Sequence, residues 1–103
     1  MPRYFYYLKL IPPRITFVED MTPGERKLMQ EHAAYMKQLF AAGNVVIYGP
    51  VKAADGPFGM GVLEAETEAE ARKMIDNDPT IRAGMNTYEI SPMVVGAARG
   101  TKD

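Results

Sequence analysis

The chain has 103 residues, enough for one domain with a modest core and too few for two. Its composition, 47% hydrophobic and 24% charged, is that of a globular protein, and a net charge of −1 without a run of Lys or Arg speaks against a nucleic-acid partner. With no cysteine, disulfides, thiolate metal sites, iron–sulfur clusters and a Cys nucleophile are excluded, and the single His leaves any metal site dependent on carboxylates.

Residues 1–11 are apolar but carry Arg3 and Lys9. They are too short to cross a membrane and lack a signal-peptide layout, so the expected compartment is the cytosol and no membrane partner is expected. Residues 4–11 (YFYYLKLI) are aromatic and aliphatic, stop at Pro12-Pro13 and read as a strand. Residues 12–21 are expected to form a loop, because two prolines fit neither regular element.

The next helix has a full start signal. Thr22-Pro23-Gly24-Glu25 supplies a capping hydroxyl, a Pro at the first helical position and a Glu three residues after the cap. Gly43 supplies a left-handed stop, which predicts a helix over 23–42. At 100° per residue Leu28, Met29, His32, Ala33, Tyr35, Met36, Leu39 and Phe40 share one broad arc.

Residues 45–49 are a second strand, followed by a turn region from Pro50 to Pro57 that contains Asp55-Gly56. Residues 58–65 (FGMGVLEA) are a third strand, with Gly59 and Gly61 on one face. Thr67-Glu68-Ala69-Glu70 repeats the capping pattern and opens a short helix to about Asn77, burying Ala71, Met74 and Ile75. Asp78-Pro79 breaks it, and 79–83 form one more turn stopped by Gly84. Residues 85–95 are the last strand. The domain thus spans 1–95, with a flexible C-terminal tail at 96–103.

The order β-α-β-β-α-β predicts an α+β, ferredoxin-like fold: a four-stranded antiparallel sheet with two helices on one face, because both crossovers take the right-handed sense. Such a sheet should alternate apolar and polar, yet the first strand is apolar on both sides. Tyr4, Tyr6, Leu8 and Leu10 point one way, and Phe5, Tyr7 and Ile11 the other. A face of that kind needs cover. A second copy of the chain packed on the open face supplies it, giving a homodimer. The alternative cover is the 12–21 loop or the tail.

His32 lies in the apolar arc of the first helix. A histidine there is either a core residue with one satisfied hydrogen bond or a proton-transfer group, since imidazole titrates at about 6.5. Counting along the helices pairs it with Asp78. His32 is nine residues past Pro23 and Asp78 ten past Glu68, so at about 1.5 Å per residue they reach similar depth on neighbouring helices. A carboxylate on one ring nitrogen fixes the tautomer and raises the basicity of the other. Asp78 has two plainer roles open to it: capping the turn at 79–83, or pairing with Arg72, Lys73 or Arg82. Gly59-Met60-Gly61 inside a strand is no phosphate loop. The eight Met residues read as core filler and most of the six Tyr as core or interface.

The aromatic opening strand, Met21-Thr22-Pro23-Gly24-Glu25-Arg26, Glu31-His32 and Tyr35 are joined by Gly43, Gly49-Pro50, Asp55-Gly56-Pro57-Phe58-Gly59, Ala65 to Ala71, Asn77-Asp78-Pro79 and Ala83-Gly84. Over residues 3–95 this pattern resembles the YciI-like (YCII-related) proteins, small ferredoxin-like domains that pair as dimeric α/β barrels. The resemblance implies a catalytic site on His32 and Asp78. It also implies relatives that include lyase-like and dehydrochlorinating enzymes on small ring-derived acids. Asp55-Gly56-Pro57-Phe58 resembles a motif of a related branch, but Gly59-Met60 replaces its polar continuation and that branch is not assigned. Three functional expectations remain: a cofactor-independent enzyme of lyase or isomerase type working by His/Asp proton transfer on a small organic acid; a module that holds a small-molecule ligand without chemistry; and a purely structural His/Asp pair. No cofactor and no metal are expected.

Overall fold

The computed structural model describes residues 2–101, so Met1 and the last two residues of the expected 96–103 tail lie outside it. In chain order the elements are β1 (Tyr4–Ile11), α1 (Phe17–Asp20), α2 (Pro23–Ala41), β2 (Val45–Val51), β3 (Phe58–Ala65), α3 (Glu68–Asp76), α4 (Pro79–Arg82) and β4 (Thr87–Met93). The sheet is antiparallel in the order β2-β3-β1-β4, the ferredoxin-like arrangement.

Register sorts the side chains. Tyr6, Leu8 and Leu10 stand opposite Leu63, Gly61 and Gly59, and with Ile90 and Ala65 they face the helices. Packing Met36 of α2 and Ala71 and Ile75 of α3 onto this surface makes the core. Phe5, Tyr7 and Lys9, opposite Glu64, Val62 and Met60, lie on the other face, which no helix covers. Ile47, paired with Val62, is 51% exposed there.

The start of α2 is built as its sequence dictates. Thr22 Oγ1 accepts from the Glu25 N–H at 3.2 Å while Glu25 Oε1 accepts from the Thr22 N–H at 2.9 Å. Gly43 then turns left-handed with φ +84°. The buried arc of α2 is narrower than the sequence suggests, because Ala33 and Phe40 are exposed; Phe40 instead packs edge-on against Tyr48 at 6.0 Å.

Three boundaries differ from the sequence reading. Residues 12–21 are not all loop: the prolines end by position 13, and beyond them α1 forms a single turn, with Thr16 donating to Asp20 Oδ2 at 2.7 Å. Phe17 is thereby buried on the helix side of the sheet. β2 continues through Pro50 to Val51, which an edge strand permits because it pairs on one side only. β4 starts two residues later than expected because the N–H groups of Met85 and Asn86 both go to the Thr80 carbonyl, at 3.0 and 3.2 Å. It ends at Met93, its last partnered residue being opposite Phe5.

Arg14 fixes the α1 segment onto α2. Its guanidinium grips Glu25 with two bonds, 2.9 and 2.8 Å, and Asp20 with a third at 2.7 Å. The Arg14 contact, followed by the Thr22 N–H, pulls the Glu25 carboxyl down to about 2. The clamp therefore stays ionised well into acid.

Of the two alternative covers, the 12–21 segment turns Phe17 to the helix side and borders only the Lys9–Ile11 end of the open face through Pro12, Arg14 and Ile15, and residues 96–101 of the tail are exposed. Among the described residues no helix is long and apolar enough to cross a membrane.

Candidate functional site

α3 ends at Asp76, Asn77 caps it, and Asp78 becomes the N-cap of α4. Two side chains expected from sequence to meet do meet: His32 Nδ1 lies 2.5 Å from Asp78 Oδ2. Asp78 is 1% exposed, and its other oxygen, Oδ1, accepts from the Thr80 N–H at 2.8 Å and the Thr80 hydroxyl at 2.7 Å. The capping role and the histidine contact thus hold together, one on each carboxylate oxygen. Pairing with Arg72, Lys73 or Arg82 is not seen: Arg72 binds Glu68 at 3.0 Å instead.

Burial pushes the Asp78 carboxyl up, but the hydrogen bonds from His32 and Thr80 outweigh it and hold it below the usual carboxylate value. It is therefore a carboxylate at neutral pH. An anion on Nδ1 requires the ring proton there, leaving Nε2 of the neutral ring with its lone pair free. Among the described residues Nε2 has no hydrogen-bond partner, and it is not fully buried.

The supports around the pair come from sequence neighbours. Tyr35, one turn after His32, donates its hydroxyl to the Met74 carbonyl at 2.7 Å and ties α2 to α3. Burial first, then the nearby Asp78 charge, raise the Tyr35 hydroxyl above its ordinary value, so it remains a neutral donor.

His32 lines a cavity of about 290 Å³ between α2, α1 and the helix-facing side of the sheet. Its walls are mostly apolar, with Leu10, Phe17, Met29 and Met36 prominent. Gly59 forms part of the floor; a Cβ there would come within 3.2 Å of Leu10. Of the two strand glycines noticed in sequence, Gly59 thus leaves space in the cavity wall, while Gly61 is not among the lining residues. Asn86 also lines the cavity. Among the described residues no three of His, Asp and Glu gather closely enough to hold a metal ion.

Sequence reasoning missed three contributors: Phe17, Thr80 and Asn86. Phe17 was hidden inside a segment read as loop. Thr80 acts through the cap, which follows from Asp78-Pro79. Asn86 shares the parity of Tyr88 and Ile90, and that alternation alone would have placed it on the covered face.

The family model described as YCII-related domain matches residues 7–94. No curated protein matches the chain. Among solved structures, the 5-chloro-2-hydroxyhydroquinone dehydrochlorinase TftG from Burkholderia phenoliruptrix AC1100, in complex with 2,5-dihydroxybenzoquinone, is 21% identical with a TM-score of 0.66, covering 88% of this chain and 95% of its own. The uncharacterized protein TM1266 from Thermotoga maritima is 8% identical with a TM-score of 0.54, covering 90% of this chain and 100% of its own. A mutant form of SnoaB from Streptomyces nogalater, a cofactor-independent oxygenase, is 10% identical with a TM-score of 0.47, covering 95% of this chain and 97% of its own.

Proposed function

The chain belongs to the YCII-related domain family, and on that premise we propose that it is a cofactor-independent enzyme of lyase or isomerase type that moves a proton on a small, ring-bearing organic acid. His32 is the base and Asp78 the residue that positions it. The observation that carries this reading is the double placement of His32: its Nδ1 is tied to a buried carboxylate while the same side chain lines an apolar cavity. A histidine kept for packing would not need to line an apolar cavity.

The chemistry needs few parts. Nε2 takes the proton of an acidic ring hydroxyl, and the oxygen's electron pair moves into the ring. The imidazolium returns that proton to a ring carbon, giving the keto tautomer; where that carbon carries a leaving group, Nε2 then takes the proton of a second ring hydroxyl, the group departs with its bonding pair, and a quinone remains. Asp78 stabilises the imidazolium that forms between these steps. The apolar walls favour a flat ring, and the likeness to a dehydrochlorinase that holds a hydroxylated quinone supports the same substrate class here.

The test uses hydroxyhydroquinone in anaerobic heavy water, followed by proton NMR. The wild-type protein is expected to speed replacement of ring protons by deuterium, and His32→Ala to bring the rate back to that of buffer while keeping the fold. Equal exchange by both proteins would sink the mechanism.

We also propose that the working form is a homodimer joined through the open sheet face. Phe5, Tyr7, Met60, Val62 and Ile47 make that face apolar, and a face-to-face pair of sheets would bury it. Ile47→Glu would place a carboxylate in such an interface at a residue that is 51% exposed and lines neither the core nor the cavity. Sedimentation should then show a monomer where the wild-type gives a dimer; an unchanged dimer would mean that another surface joins the subunits.

A further inference from the structure

We propose that Asn86 selects the ligand of this cavity, hydrogen-bonding a second oxygen substituent on a small ring whose first oxygen faces His32 Nε2; this rests on the reading of the His32–Asp78 pair given above. Asn86 is 4% exposed, and among the described residues its Oδ1 is the buried side-chain polar atom left without a partner. The other end of the amide makes one long contact, Nδ2 to Met29 Sδ at 3.8 Å. A thioether is a weak acceptor. A buried amide in this condition is a standing cost to the fold, and such groups call for an explanation.

The position of Asn86 supplies one. It lines the same cavity as His32. Its backbone is anchored by its N–H to the Thr80 carbonyl at 3.2 Å, and Thr80 in turn gives its N–H and hydroxyl to Asp78. One short helix thus fixes both the carboxylate behind the base and the amide across from it. The last torsion of Asn is broad, so the amide turns at little cost and offers either its carbonyl or its NH₂ to the cavity.

The shared cavity then sets the class of ligand. The amide reaches Met29, which precedes His32 by three residues on the same face of α2, a rise of about 4.5 Å along the axis. A small ring that carries two oxygens can serve both groups, one a hydroxyl at His32 and the other a hydroxyl or carbonyl at Asn86. The remaining walls are apolar and read only the ring.

Binding of hydroquinone and of phenol, which lacks the second oxygen, is the test, measured by the NMR shift of the single imidazole. Wild-type protein is expected to hold hydroquinone about tenfold more tightly than phenol. Asn86→Leu should remove that preference and raise the unfolding temperature, because it deletes an unpaired buried amide. Asn86→Ala, which cannot overpack the site, should remove the preference as well. Equal affinities in the wild-type, a preference that survives both substitutions, or a clear loss of stability in Asn86→Leu with the preference intact would each overturn the assignment. The comparison reads binding alone, so it decides on Asn86 whether or not the wild-type protein exchanges ring protons.

Discussion

Asp78→Ala is expected to lower the stability of the fold by about 3 kcal/mol at neutral pH, and its unfolding temperature by roughly 10–20 °C. Two losses combine. The α4 cap disappears, which costs about 1 kcal/mol for a side chain of this kind. The Thr80 hydroxyl and His32 Nδ1, both bound to Asp78, lose their partner in a site where Thr80 is fully buried, which costs about 1–3 kcal/mol. The effect has a pH signature. Because the folded carboxyl is held below its ordinary value, the stability contributed by its ionised form is complete above the unfolded value of about 3.9. It fades as the pH falls through the lower folded value. Thermal or urea unfolding of wild-type and Asp78→Ala should therefore differ most near neutrality and converge in strong acid. A loss below about 1 kcal/mol at pH 7 would show that the cap and the histidine contact do not stabilise the fold as described.

Much of this site was legible before any coordinates. Counting along the helices named the pair His32–Asp78, but its premise, that both helices start at the same end of the sheet, fails: β1 and β3 are antiparallel, so α2 and α3 start at opposite ends, and the contact forms because the midpoint of the long α2 lies beside the residues that follow the short α3. The strand limits of β1 and β3 follow from composition and the prolines or turns that flank them. What the sequence hid was less regular. The α1 turn depends on Arg14 gripping Asp20 and Glu25, residues six and eleven positions away, a match no local pattern announces. The delayed start of β4 depends on one carbonyl, that of Thr80, taking two N–H groups that a strand would have used. The cavity is a further case. It exists because Gly59 lacks a side chain opposite Leu10 while Phe17 folds back from outside the main helices, and only tertiary packing brings those facts together.

Asp78→Asn separates the structural from the chemical role of the same side chain. The asparagine carbonyl can still accept from the Thr80 N–H and hydroxyl, so the α4 cap survives and the loss of stability should be well below that of Asp78→Ala. The amide NH₂ now faces His32 Nδ1, which must become the acceptor. The ring proton moves to Nε2, and that nitrogen turns from base to donor. Proton abstraction is thereby lost while shape is kept. In a Ser-His-Asp triad the same exchange costs about 10⁴-fold, and a fall of about 10²–10⁴-fold in hydroxyhydroquinone exchange is expected here. The chain contains one histidine, so nitrogen-15 NMR reads a single ring. Wild-type protein should show the proton on Nδ1 and Asp78→Asn on Nε2, with or without ligand. If the tautomer switches and exchange continues at the wild-type rate, His32 is not the base; if the tautomer stays on Nδ1, the carboxylate is not what orients the ring.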